Sequence, residues 1–262
     1  MCAALRYDGH PVFGQTIESC PRVKHQLSAR RILTRLIKFL VILHMPTFKR
    51  NQVEEAISRA IEPTAEKPST DLLNQLKRLL DTDRSLGRSA KSVDPEKANY
   101  AFFSQDAAGS GIEVRFQEYE AFALLTGWRF LEHGFPQQKA VLALRQMRRP
   151  LEQEHARIMQ LDPKVLFDQQ RIRAAARPGP LYVNNTAPVF LVICSSEEDI
   201  AKADVRSIKS VTICQNEADL MRLIKSHFGL NTILELVGTS HLLHDCLLRT
   251  PPSQRGRPSK YE

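Results

Sequence analysis

Cysteine is sparse and poorly spaced for cross-linking. Cys2, Cys20, Cys194, Cys214 and Cys246 are odd in number and form no CxxC pair. This argues against a disulfide framework and a cysteine-based zinc site, and predicts reduced thiols in an intracellular chain. Glycine-rich phosphate loops are missing as well. There is no GxxxxGK[ST] segment, and no Gly-rich dinucleotide turn follows a strand. A GxSxG elbow and an HExxH helix are also absent, so nothing positive points to an enzyme, a cofactor or a metal. Long apolar runs are lacking. The run from Phe39 to Leu43, inside RRILTRLIKFLVILH, is far too short to span a bilayer and has no cleavage pattern beside it. The expectation is a non-enzymatic protein outside the membrane.

What remains is an ordinary globular composition with an uneven charge. Of 262 residues, 42% are hydrophobic and 25% charged, enough for one large domain or two modest ones. The formal charge of +8 raises the expectation of a polyanionic partner. Residues 1–44 hold seven Lys/Arg against two Asp/Glu, so they account for +5 and the rest of the chain for +3. Any basic surface after residue 44 must therefore be local. Residues 1–44 also show no order of turns and elements, whereas the text becomes orderly at MPTFKRNQVEEAISRAI. A natural start at Met45 is expected, with 1–44 as a doubtful extension.

From there the apolar spacing predicts elements in turn. Asn51 and Glu54 have capping-box spacing, and Val53, Ala56, Ile57 and Ala60 form one stripe, so a helix is expected over about 52–61. Pro63 and Pro68 bracket a linker. A second helix is expected over about 70–81 on Leu72, Leu73, Leu76, Leu79 and Leu80. Tyr100–Phe103 and Ile112–Phe116 flank the turn formers SQDAAGSG and predict a β-hairpin. A third helix begins near Gln117 and stops at Gly134, with Phe122, Leu125, Trp128 and Leu131 on its apolar face. A fourth runs from Pro136 to about Leu161, with Val141, Leu144, Leu151 and Ile158 on a seam interrupted by Arg148 and His155. Pro150 should kink or divide it. Residues 162–180, with RPGP, read as a linker. VFLVICSS and SVTIC then read as strands, NEADLMRLIKSHFG as a helix between Asn216 and Gly229, and 232–248 as a last helix.

Candidate chemistry is thin. His241 and His244 are three apart on a helix beside Asp245 and could share a metal, but no third ligand is evident, so packed histidines are expected. Glu152, Glu154 and His155 lie among Arg148, Arg149 and Arg157 and read as ion pairs on a helix surface. Asn184-Asn185-Thr186 matches a glycosylation acceptor that an intracellular chain would not use.

Two stretches carry resemblances. YAFFSQDAAGSGIEVRFQEYEAFALLTGWRFLEHGFPQQKAVLALRQMR resembles the wing and following helices of MerR-type winged-helix transcription regulators. Phe116 and Tyr119 stand where an aromatic leaves the wing, and Gly134-Phe135 where a Gly-Phe turn introduces the next helix. The resemblance implies that the two preceding helices form a helix-turn-helix with the second near the major groove, and that the helix at 136–161 joins a homodimer. The family's tight turn and Arg-Tyr-Tyr stretch are missing, and residues 62–69 are longer and richer in proline than its turn. At the C-terminus, Arg255-Gly256-Arg257-Pro258 resembles the core of an AT-hook. Arginines flanking a small residue suit a narrow A·T-rich minor groove, whose negative potential attracts guanidinium groups.

The fold class expected is α+β: a mainly helical winged-helix-like domain with a β-hairpin at 45–161, a linker at 162–180, a small α/β domain at 181–248 and a disordered basic tail at 249–262. The function expected is binding of double-stranded DNA by a bacterial, cytoplasmic, nucleoid-associated regulator. Lys77, Arg78, Arg84 and Arg115 are its candidate contacts in the main domain, and Arg255, Gly256, Arg257 and Pro258 those in the tail. Phosphate contacts are expected to outnumber base readout at the first four, because phosphates take most protein–DNA hydrogen bonds. The alternative is a protein-interaction adaptor with a solvated tail.

Overall fold

A computed structural model describes residues 46–104, 114–175, 184–195, 208–227 and 229–252. The protein is α+β. In chain order the elements are β1 (Phe48–Lys49), α1 (Arg50–Ile61), α2 (Thr70–Ser85), α3 (Pro95–Ala98), β2 (Arg115–Phe116), α4 (Glu118–Glu132) and α5 (Gln137–Met159). They continue with α6 (Pro163–Leu166), α7 (Gln169–Ala175), β3 (Phe190–Cys194), β4 (Ser210–Cys214), α8 (Glu217–Ser226), β5 (Asn231–Glu235) and α9 (Val237–Arg249).

The expected hairpin between Tyr100–Phe103 and Ile112–Phe116 does not form. Tyr100–Phe103 is not a strand; β2 instead pairs antiparallel with β1, with Phe48 opposite Phe116 and Lys49 opposite Arg115. The aromatic segment is pulled inward by two buried charges on neighbouring helices. Asp83 accepts hydrogen bonds from the amides of Ala101 (3.1 Å) and Phe102 (3.0 Å). Arg148 Nη1 donates to the carbonyls of Tyr100, Ala101 and Phe103 at 3.1–3.2 Å. Backbone groups spent this way are unavailable to a ladder. The turn formers of the expected wing fall at 105–113, outside the described residues.

The helices start and stop for local reasons. Gln52 Oε1 accepts from the Lys49 amide at 3.4 Å, so α1 begins at Arg50, ahead of the Asn51–Glu54 box expected for it. Ser69 Oγ caps α2 by accepting from the Leu72 amide at 3.2 Å. This helix outruns the expected end near 81 because Asp83 belongs to its inner face with Leu72, Leu76, Leu79 and Leu80. Glu120 reaches back to the Gln117 amide (2.8 Å) at the head of α4. At its tail Gly134 adopts φ 80°, Gly134 N bonds Leu131 O, and Phe135 N bonds Phe130 O. Phe135 then packs on Phe130 with ring centroids 5.8 Å apart, completing a Schellman end.

The expected kink does not divide α5, which remains one helix through Pro150. The carbonyl that loses its donor there is that of Gln146, an exposed residue. The seam residues Val141, Leu144, Leu151 and Ile158 are all buried within this chain, between α2, α3, α4 and α9. The seam expected to join a second chain is therefore already covered. Gly127 on α4 allows the closest approach: a Cβ there would sit 3.0 Å from the Phe102 ring and 3.2 Å from Leu144.

The second sheet has strand order β4-β3-β5, all antiparallel, with Leu191 opposite Ile213 and Leu234. All five residues of β3 are buried, which accounts for its continuous apolar text. Leu191 and Ile193 join the main core, whereas Phe190, Val192 and Cys194 face a smaller cluster with Leu220 of α8. Asn216 caps α8 as expected, accepting from the Asp219 amide at 2.9 Å, but the helix ends at Ser226, before Gly229.

Two expectations fail around this sheet. Residues 231–235 form an edge strand, not the start of the last helix, because Thr232 and Leu234 alternate inward. Helix α9 starts only after Glu235, whose carboxylate accepts from the amides of Val237 and Gly238, both at 2.8 Å. The segment expected as a linker also contains α6 and α7, with Leu166 and Ile172 buried. Its residues 176–180 lie outside the described ones, as do 181–183 at the start of the expected α/β unit.

The helical and sheet-bearing parts do not stand apart. Helix α9 packs on α1, α4 and α5, and one cluster of buried residues runs from Phe48 to Leu247. Gln52 Nε2 donates to Thr250 O (2.7 Å) and Leu247 O (3.3 Å), tying the end of α9 to the start of α1. The described residues between 46 and 252 thus share one packed core, where two domains with a linker between were expected.

Candidate functional site

The residues expected to meet DNA fall into two groups. Lys77 and Arg78 are exposed on α2, and Arg115 is exposed on β2 opposite Lys49. Arg84, at the C-terminal end of α2, lies over the Phe103 ring, its guanidinium carbon 4.8 Å from the centroid. Arg255, Gly256, Arg257 and Pro258 lie outside the described residues.

Phe103 leads from Arg84 into a cleft of about 270 Å³ lined by Arg88, Asn99, Tyr100, Ser104, Arg148, Arg149 and Glu152. The fold creates this cleft through two buried ion pairs. Arg145 Nε meets Asp83 Oδ1 at 2.7 Å with both side chains shut off from solvent, and other nitrogens of the same guanidinium reach the carbonyls of Asp83, Gly87 and Glu96. This pins α5 against the end of α2 and against α3. One turn later Arg148 holds the 100–104 segment, donating also to Ser104 Oγ at 3.3 Å, and lies 4.8 Å from the Tyr119 ring centroid. The Glu120 carboxyl is 3.8 Å away, and burial raises its pKa above the usual carboxylate range despite hydrogen bonds from Ser104 and Gln117.

The arginines in the cleft, and Arg84 beside it, therefore have different tasks. Arg148 spends its donors on backbone carbonyls and on Glu152 at 3.5 Å, so it contributes charge more than free N–H groups. Arg84 and Arg149 form no ion pair among the described residues, and Arg149 is exposed. Arg88 is stacked 5.5 Å from the Tyr100 centroid. A guanidinium lying on an aromatic face presents its edge to an oxyanion and loses little freedom on binding it. Such a cleft can take a phosphate oxygen from solvent, with Glu152 as the opposing charge in its wall.

Lys77, Arg78 and Arg84 were expected near or beyond the exposed end of α2; Lys77 and Arg78 are exposed on it, and Arg84 lies within its last turn, partly covered. Arg88 and the Arg148–Arg149 pair of the cleft were not among the expected contacts. The available signal was the interruption of an apolar seam by Arg148 and His155, since a charge on a buried stripe must be paired inside. The expected surface ion pairs hold only in part: Arg157 meets Glu154 at 2.6 Å, while Arg148, Glu154 and His155 are buried. His155 sits 4.7 Å from the Phe122 ring, and burial, reinforced by nearby His244 and His241, lowers its pKa to about 4.

His241 and His244 do not share a ligand position. His244 Nδ1 meets Glu118 Oε1 at 2.8 Å, His241 packs edge-on to Phe167, and Asp245 pairs with Arg249 at 2.7 Å. Among the described residues no group of His, Cys, Asp and Glu is arranged to hold a metal, and no helix is long and apolar enough to cross a membrane. Comparison with protein-family models, curated proteins and solved structures finds no match.

Proposed function

We propose that this protein binds double-stranded DNA through its phosphate backbone, as a bacterial regulator acting in the cytoplasm at the nucleoid. The observation that carries the reading is the pairing of Arg88 and Arg149 in the cleft at the end of α2 with Arg84 beside it, over the Phe103 ring that lines the cleft. Neither Arg84 nor Arg149 is in an ion pair among the described residues. Lys77 and Arg78 extend that basic surface along the same helix. Asp71 and Asp81 are exposed on it too, which favours a few positioned phosphate contacts over a helix buried in the major groove. The tail, with its AT-hook-like Arg255-Gly256-Arg257-Pro258, adds minor-groove contact at A·T-rich sequence and raises local concentration.

Fluorescence anisotropy of the full chain with A·T-rich and G·C-rich duplexes at two salt concentrations tests this. Binding should weaken steeply with salt, and each phosphate that a variant no longer neutralises should reduce the log–log slope by about 0.9. The double variant R84A/R149A should flatten the slope by roughly 2 on both duplexes. R255A/R257A should weaken the A·T-rich duplex more than the other. Salt-insensitive binding, or none at low salt, rules the reading out.

A further inference from the structure

A second and larger cleft, of about 670 Å³, opens between α9, α6 and the outer end of α4. It is within the size range of small-molecule sites. Its walls are mostly apolar, with Pro163, Phe167 and Leu242 facing the space, and Leu242 is half exposed. Charged groups and two histidines also line it, and most of them are already engaged. Glu235 is spent on the amides of Val237 and Gly238 and on Asn185 Nδ2 at 3.0 Å. Asp245 belongs to Arg249, and His244 to Glu118.

Two groups are less engaged: His241, whose buried Nε2 has no hydrogen-bond partner, and Arg129. Arg129 is the charged one. It projects from α4, its Nη1 donates to Thr239 Oγ1 at 2.9 Å, and no carboxylate forms an ion pair with it among the described residues. Its neighbour Glu235 acts on it only at longer range, and burial lowers the arginine's pKa in spite of that charge. A guanidinium taken partly out of water with one neutral partner is under-compensated, and the group that best completes it is a carboxylate accepting two parallel N–H bonds.

We infer that this cleft binds a small organic carboxylate with an apolar body, the carboxylate on Arg129 beside Thr239 and the body against Phe167 and Leu242. The site is separate from the arginine cleft, so the inference does not depend on DNA binding. A carboxylate held here would bridge α4 and α9, which pack on each other.

Titration of the full chain without DNA, followed by ligand-observed NMR, tests it. Phenylacetate and hexanoate serve as aromatic and aliphatic probes, with phenylacetamide as a neutral isostere. Saturable binding with Kd on the order of 1 mM or tighter is expected for at least one acid. The amide should bind at least about tenfold more weakly, since it cannot pair with the guanidinium. R129Q should cause a similar loss. L242W, a change at a half-exposed position that leaves Arg129 intact, should fill the cleft and abolish binding while the circular dichroism stays native. Acid and amide binding alike, binding that survives L242W, or no saturable binding of either acid overturns the inference.

Discussion

At the scale of single residues, the charges inside this protein are structural parts. Arg145 and Asp83 are both almost fully buried, and each satisfies backbone groups as well as its partner. Removing one partner leaves the other as an uncompensated buried charge. D83A should therefore cost about 3–5 kcal/mol in urea unfolding, and the double variant D83A/R145M should cost less than the sum of the single changes. His155 is the opposite case, a base kept neutral. Its folded pKa of about 4 lies below its unfolded value, so the unfolded chain takes up the proton first as pH falls. The stability contributed by the neutral imidazole is complete above about pH 6.5 and is lost progressively towards pH 4, by up to roughly 3 kcal/mol. H155F keeps the packing with Tyr119 and Phe122 but removes the titration. Its urea midpoint should fall less than the wild type's between pH 7 and pH 4.5, and parallel falls would refute this assignment.

At the scale of elements, the ends of α2 and α4 follow local chemistry strongly enough to be tested singly. S69A removes the hydroxyl that caps α2 and should cost about 1 kcal/mol. G134A must place a side chain at φ 80° and should cost about 1 kcal/mol or more, read from the same denaturation curves. The failures at this scale share one cause. Residues 231–235 and 100–103 have no decisive periodicity of their own, and their conformations follow from pairing with β3 and from hydrogen bonding to Asp83 and Arg148. Such partners are distant in sequence, so local text does not reveal them.

At the scale of the molecule, the helical part and the sheet form one core, so they should unfold together. Trp128, the sole tryptophan, lies on α4 and donates to Gln75 Oε1 at 2.7 Å, far along the chain from α9. L247A, at a fully buried position on α9, should cost about 2–5 kcal/mol and shift the Trp128 fluorescence transition together with the far-UV dichroism transition. Two separated transitions would restore the two-domain picture. A single transition would also make the carboxylate cleft a route by which a ligand stabilises the whole unit.

Local text was enough for the α+β class, the start of α2, the limits of α4 and α5, β3 and β4, and the exposed basic residues of α2, because caps, apolar stripes and left-handed glycines act within a few residues; it did not reveal α3, α6, α7 or the start of α9. Only contacts between distant segments set the pairing of β1 with β2, the strand at NTILE, and the placing of Arg88 and Arg149 in one cleft and Arg129 in another. Those outcomes depend on buried charges and shared apolar surface between segments far apart in the chain. The energy of such contacts is set by where the segments meet, and no local pattern records it.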